Sequence, residues 1–258
     1  MNKIKLIAHR GGYKESNTRE NSIEAIKYAT SKEYMDGVEF DVRVTSDNKL
    51  VVFHDFRIKY NNKSYRISNT DYSKLNQIHL KKYKTKLATL DEVLSIIPKE
   101  KLIFLEIKLG EVGSEAQTLQ LVYDTVKKYK TKKIVVISFI YKFLKFFIKR
   151  KYPTCLLLNR HSKLFELKAY FRTYLNLSLD IISMDKRMVN SKNSKMILKS
   201  NKNYGIYTID SSDEVDKLFK EIGIDVIKKY KNKIYITTTN PKLIYERIEK
   251  LNETFKEV

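Results

Sequence analysis

Short apolar runs alternate along this chain with longer segments of helical periodicity. The runs are Lys5–Ala8, Val38–Val42, Leu102–Ile107, Lys133–Ser138, Thr154–Leu158, Asp180–Ser183, Gly205–Ile209 and Lys233–Thr237. Apolar positions at helical spacing follow them, over Ser22–Lys32, Leu90–Ile97, Glu115–Tyr129, Tyr141–Lys151, Leu164–Leu175, Ser191–Ser200, Ser212–Ile222 and Pro241–Leu251. Apolar runs that alternate with amphipathic helices are the mark of repeated βα units on a parallel sheet. Eight such units predict a closed (β/α)8 TIM barrel rather than an open doubly wound sheet. The eighth strand has a rival in Asp225–Ile227. The segment from Val51 to Thr89 is too long for an ordinary βα connection, so it predicts a short extra strand at Leu50–Phe53 and a loop excursion over the barrel mouth after the second strand.

Composition narrows this to one domain. A chain of 258 residues, 42% hydrophobic and 12% aromatic, can bury a large core, and no Pro-, Gly- or Ser-rich linker divides it. The domain is therefore expected to span residues 1–258. Polar residues His9 and Arg10 come so soon after Met1 that the N-terminus leaves no room for an apolar leader, and the expected location is the cytoplasm. The lone Cys155, among Leu156, Leu157 and Leu158, reads as a buried thiol, not a nucleophile or half of a disulfide.

The net charge of +21 raises anionic partners: nucleic acid, membrane or an anionic substrate. Because Lys is spread along the whole chain, a basic solvated surface is favoured over a nucleic-acid patch. A weaker reading is peripheral membrane contact through Tyr141–Tyr152. Helical spacing there puts Phe143, Leu144, Phe147 and Ile148 on one stripe and leaves Phe146 outside it, among Lys142, Lys145, Lys149 and Arg150.

In Val38-Glu39-Phe40-Asp41-Val42 a period of two puts both carboxylates on one face and the apolar residues on the other. Glu106 and Lys108 share a face in the same way. Carboxylates that face one interior repel each other unless a cation, a shared proton or water offsets them. Three of them, with no matching set of cysteines, describe a site for a hard cation such as Mg²⁺ or Ca²⁺. Two of the four histidines, His9 and His54, directly follow apolar runs and fit an acid/base pair. His79 and His161 lack such a setting and are expected at the surface. Arg10 and Lys108 add positive charge, with guanidinium geometry suited to phosphate.

In order and approximate spacing, Ala8-His9-Arg10-Gly11-Gly12, Glu20-Asn21-Ser22, Gly37-Val38-Glu39-Phe40-Asp41-Val42, Thr45, Val51-Val52-Phe53-His54-Asp55, Thr89–Leu94, Glu106-Ile107-Lys108 and Ser138-Phe139 resemble the glycerophosphodiester phosphodiesterase family. The resemblance spans the chain and is strongest up to Lys108. It implies metal-dependent hydrolysis of a glycerophosphodiester to glycerol 3-phosphate and an alcohol. Glu39, Asp41 and Glu106 would hold the metal, His9 and His54 would act as acid and base, and Arg10 and Lys108 would contact phosphate. Glu20 is implied as a group on the substrate side, whereas Asn21 reads as a helix cap. The chain departs from the pattern at Tyr207-Thr208-Ile209-Asp210, where the family usually has Trp, and at Thr238-Thr239-Asn240 before Pro241. Tyr207 keeps an aromatic platform for the substrate. Two other readings stay open: a phospholipase-like barrel acting on lysophospholipids or a glycerol-phosphate polymer, and a catalytically silent basic binding module. The alcohol and the oligomeric state are not assigned.

Overall fold

The computed structural model describes residues 3–108, 115–159 and 175–254. Its eleven strands are β1 (Lys5–Ala8), β2 (Gly37–Val44), β3 (Leu50–Val52), β4 (Arg57–Tyr60), β5 (Lys63–Arg66), β6 (Leu102–Ile107), β7 (Lys133–Ser138), β8 (Thr154–Leu158), β9 (Ile181–Asp185), β10 (Asn203–Tyr207) and β11 (Ile234–Thr238). Eight of them, β1, β2 and β6 to β11, pair in parallel in that order, and β1 returns to β11 to close the ring. The periodicity thus predicted the barrel and all eight of its strands. The rival eighth strand at Asp225–Ile227 is part of a short helix, Ile224–Tyr230.

Period-two alternation sorts each barrel strand into two layers. Outward residues such as Val38, Phe40 and Val42 on β2 pack with Ile26, Val93, Leu94 and Leu105 beneath the helices. Inward residues Ile7, Phe104, Val135, Ile137, Cys155, Leu157 and Tyr235 fill the barrel floor. Cys155 is completely buried there, as expected for a thiol flanked by leucines. Register then decides what stands beside what. Asp41 pairs with Glu106 across β2 and β6, so two inward carboxylates are side by side near the strands' C-terminal ends.

The excursion after β2 carries more structure than one extra strand. β3 pairs antiparallel with β2, Val42 opposite Val52. A hairpin of β4 and β5 follows, with Arg57 opposite Arg66, and then a helix over Tyr72–Tyr83. Val51, Phe53, Ile58, Ile67, Leu75, Ile78 and Leu87 give this excursion its own small core. His79 is 4% exposed, which corrects the surface position expected for it. Leu75, Ile78 and His79 share one helix face at the i, i+3, i+4 spacing. The His79 ring meets Phe53 and Tyr83, and Nδ1 donates to the Thr85 carbonyl at 2.8 Å.

In the helix Tyr141–Ile148, Phe143, Leu144 and Phe147 are buried as expected. Phe146 is not a free ring. It lies under the Arg150 guanidinium, 3.5 Å from the ring centroid, and edge-on to Tyr123 and Phe147. That removes the exposed aromatic on which membrane contact through this helix depended. The predicted helix Leu164–Leu175 and His161 fall outside the described residues, apart from Leu175. No helix among the described residues is long and apolar enough to cross a membrane.

Candidate active site

β1 ends at Ala8, and the chain turns at once over the top of the barrel through His9–Gly11. The turn needs left-handed backbone at three consecutive residues: Arg10 at φ +51°, Gly11 at +87° and Gly12 at +63°. A side chain at Gly11 would also come within 2.7 Å of the Ala25 Cβ, so the pair seen in Ala8-His9-Arg10-Gly11-Gly12 has a steric reason. Arg10 pays for a strained conformation with contacts. Its backbone N–H donates to Glu39 Oε2 at 3.0 Å, its Nη1 donates to Glu20 Oε2 at 2.9 Å, and its Nε stands 3.4 Å from Asp41 Oδ2.

Glu39, Asp41 and Glu106 are all buried, with one oxygen from each lying within 4.8 Å of the others. Lys108 Nζ bridges two of them, 2.6 Å from Glu106 and 3.0 Å from Asp41. Charge is divided unevenly. Burial opposes ionisation of Asp41, but Lys108 and Arg10 outweigh it and draw the carboxyl down to about 2. Burial and the neighbouring Asp41 push Glu106 up to about 7. Burial, Asp41 and Glu106 hold Glu39 well above the ordinary carboxylate range. Glu39 Oε1 is buried and accepts no hydrogen bond from any of the described residues. A trio of oxygen donors in which two resist ionisation and one oxygen is orphaned is short of positive charge, and a hard divalent cation fits that deficit.

Both histidines reach the same cavity. His9 Nε2 is 3.8 Å from Glu39 Oε2, and burial together with Arg10 lowers its pKa to about 4. His54 arrives by another route than a barrel strand. β2 overshoots the barrel top as far as Val44, and β3 brings the chain back down until the Phe53 N–H donates to the Asp41 carbonyl at 2.9 Å. His54 then sits over the carboxylates with Nδ1 2.9 Å from Asp55 Oδ1. Since a carboxylate only accepts, Nδ1 carries the proton and Nε2 is the atom left for chemistry. Arg43 Nε and Nη2 both donate to the His54 carbonyl, at 2.8 and 2.6 Å, and anchor this segment.

A cavity of about 470 Å³ opens at the C-terminal mouth, with His9, Arg10, Glu39, His54, Glu106 and Lys108 on one side. The other side combines an apolar wall of Phe104, Ile137, Phe139, Leu157 and Tyr207 with the polar Ser183, Asp185, Lys186 and Arg187. Residues 9–228 match the family of glycerophosphoryl diester phosphodiesterases. The chain belongs to that family. A glycerophosphodiester phosphodiesterase from Caldanaerobacter subterraneus is 33% identical over 147 residues, 53% of this chain and 58% of the relative. The chain thus aligns with less than two thirds of that curated relative's length. Among solved structures, a family member from Parabacteroides distasonis is 25% identical with a TM-score of 0.74, covering 97% of this chain and 99% of its own. An Oleispira antarctica phosphodiesterase in complex with sn-glycerol-3-phosphate has a TM-score of 0.78 at 18% identity, over 96% and 97% of the two chains.

Where the glycerophosphodiester phosphodiesterase pattern breaks, the structure finds new ties. Tyr207 lines the cavity, but its hydroxyl donates to the Leu158 carbonyl at 2.7 Å, so it offers the cavity a ring rather than a donor. Asp210 organises the Thr238–Asn240 turn, accepting from Thr239 N at 2.7 Å and from Thr238 Oγ1 at 3.3 Å. Asn21 is not the helix cap it was expected to be. Ser22 caps the helix Ile23–Ser31, accepting from Ala25 N, while Asn21 grips Asp41 from both sides. Its Nδ2 donates to Asp41 Oδ2 at 2.9 Å and its Oδ1 accepts from Asp41 N at 3.2 Å. Glu20, expected on the substrate side, holds Arg10. Ser183, Asp185, Lys186 and Arg187 line the cavity outside the sequence expectation, with Asp185 and Arg187 joined by a 2.5 Å ion pair.

Proposed function

We propose that this protein hydrolyses glycerophosphodiesters to glycerol 3-phosphate and an alcohol, with a divalent cation held by Glu39, Asp41 and Glu106. The observation that carries the reading is the buried carboxylate trio, with its orphaned Glu39 oxygen, in one cavity with two histidines, Arg10 and Lys108. The glycerol 3-phosphate bound by the Oleispira relative supports the same substrate class. When bound, the cation would polarise a phosphoryl oxygen and favour ionisation of the glycerol 2-hydroxyl.

The protein's own groups do the rest. Arg10 is fixed by Glu20 and by its strained turn, which presents the guanidinium as a rigid contact for phosphate. Lys108 exchanges its carboxylate partners for the phosphate as negative charge grows there. One histidine takes the proton of the 2-hydroxyl as that oxygen attacks phosphorus. The bond to the departing alcohol breaks, and the other histidine supplies that alcohol with a proton. Water then opens the cyclic phosphate with the two proton transfers reversed. His54 works through Nε2, because Asp55 holds its Nδ1 proton.

The test is glycerol 3-phosphate release from a panel of soluble glycerophosphodiesters by chelated enzyme to which each divalent cation is returned in turn. Release only after metal return is expected. No release from any diester with any cation overturns the reading.

A further inference from the structure

Two of the five large exposed apolar side chains among the described residues, Phe56 at 62% and Phe139 at 40%, stand at the barrel mouth. Phe139 follows β7 directly. Phe56 comes two residues after His54, with its ring stacked 4.5 Å from the Arg43 guanidinium.

The hairpin that starts at Phe56 is built with two unlike faces. Ile58 is completely buried in the excursion core and pins one face down. The opposite face carries Arg57 and Lys59, with Arg66 directly across from Arg57 and Ser64 across from Lys59. No Asp or Glu occurs from Phe56 to Thr70. Arg57, Lys59 and Lys63 have no acidic partner among the described residues, whereas Lys186 and Arg187 at the mouth are paired to Glu214 and Asp185. The hairpin therefore offers outward positive charge, beside an exposed ring, at the edge of the cavity.

We propose that this mouth docks on an anionic lipid surface. The hairpin supplies the electrostatic attraction, Phe56 and Phe139 enter the headgroup layer, and the site draws its phosphodiester from amphiphilic molecules in that layer. Charge complementarity selects the surface, and the cavity's apolar side favours a lipid over a nucleic acid. That side runs from the rim at Phe139 through Tyr207, Ile137 and Leu157 to Phe104 at the floor. It is a wall for an apolar alcohol substituent. The choice of substrate rests on the phosphodiesterase reading above; the docking does not.

The experiment is co-sedimentation of the full chain with phosphatidylcholine vesicles, with and without phosphatidylglycerol, at low and high salt. Wild type should bind only the anionic vesicles, and high salt should release it. Each cation near such a surface contributes about fivefold in affinity, so Arg57→Glu with Lys59→Glu should lose about 25-fold or more, with thermal stability no lower than wild type and turnover of a soluble diester unchanged. Phe56→Ser should weaken binding while leaving its salt dependence intact. Turnover of a lysophospholipid within the vesicles should fall in step with binding. Absence of wild-type binding at low salt, or equal binding by the double variant, overturns the proposal. So does tighter binding of a single-stranded oligonucleotide that the same variant loses. If no diester is turned over but sedimentation behaves as stated, the hydrolytic reading fails and the docking surface stands.

Discussion

Asn21 should be a positioning residue for Asp41, and its loss should separate from loss of the helix cap beside it. Asn21 is 3% exposed and joins Asp41 by two hydrogen bonds, one to the carboxylate and one from the backbone N–H. Asn21→Gly keeps the left-handed backbone at φ +60° without a steric penalty. What it removes is the partner of a buried N–H, worth about 1–3 kcal/mol, and a bond to a charged oxygen of similar worth. Allowing for water entering the gap, the net loss should be about 2–4 kcal/mol, or about 5–15 °C in Tm for a chain of this size. Asn21→Ala should lose about 1 kcal/mol more, because alanine must then adopt the left-handed conformation. With its orientation relaxed, Asp41 should hold a divalent cation about 10- to 100-fold more weakly. Ser22→Ala is the internal control: it should cost about 1 kcal/mol of stability and leave the metal midpoint of activity alone. The assay is turnover of a soluble glycerophosphodiester titrated with metal, beside thermal melts of the metal-free proteins. If Asn21→Gly keeps the wild-type metal midpoint, the grip on Asp41 anchors the chain and nothing more.

Asp41→Asn should abolish the metal response and most turnover; activity that survives both this change and chelation would remove the metal from the mechanism. His9→Ala and His54→Ala should each lower turnover by about 10²- to 10⁴-fold with metal affinity and Tm close to wild type, and near-normal turnover in either variant takes that histidine out of the chemistry. His79 should add an acid-sensitive component to stability. Burial and, to a lesser degree, Arg19 and Lys82 lower its folded pKa below 6.5, so the unfolded chain binds the proton more readily. Its contribution is thus fully present above about pH 6.5 and is lost as pH falls toward the lowered folded value. Between pH 7 and 5, Tm should fall further for wild type than for His79→Gln, and parallel melting curves for the two proteins would contradict the assignment.

Periodicity made the barrel legible because each strand has two faces and the sequence alternates between them. The same alternation on β2 put Glu39 and Asp41 inside, and carried one step further it reaches Arg43, which is 6% exposed and anchors His54. That residue was readable by the rule already in use. His79 was readable too, through its spacing from Leu75. Asn61-Asn62, both at positive φ, mark the hairpin turn, and such a pair between two short runs is itself a signal.

Other features of the site had no local signal. Asn21 and Ser22 are adjacent residues of types that both cap helices, and only the fold reveals that the first turns toward Asp41, 20 positions along the chain. Asp210 and the Thr238–Asn240 turn meet across a similar gap in sequence. Side-by-side placement of Asp41 and Glu106 depends on the register of β2 against β6, which no pattern within either strand encodes. His54 combines both cases. Its approach after an apolar run was visible, but the route was not, since it depends on β2 passing the barrel rim and β3 folding back antiparallel along it. Strand faces therefore identify which groups point inward, while register and overshoot decide which of them meet. In this protein those two tertiary facts turn a row of inward acids and two separated histidines into one cavity.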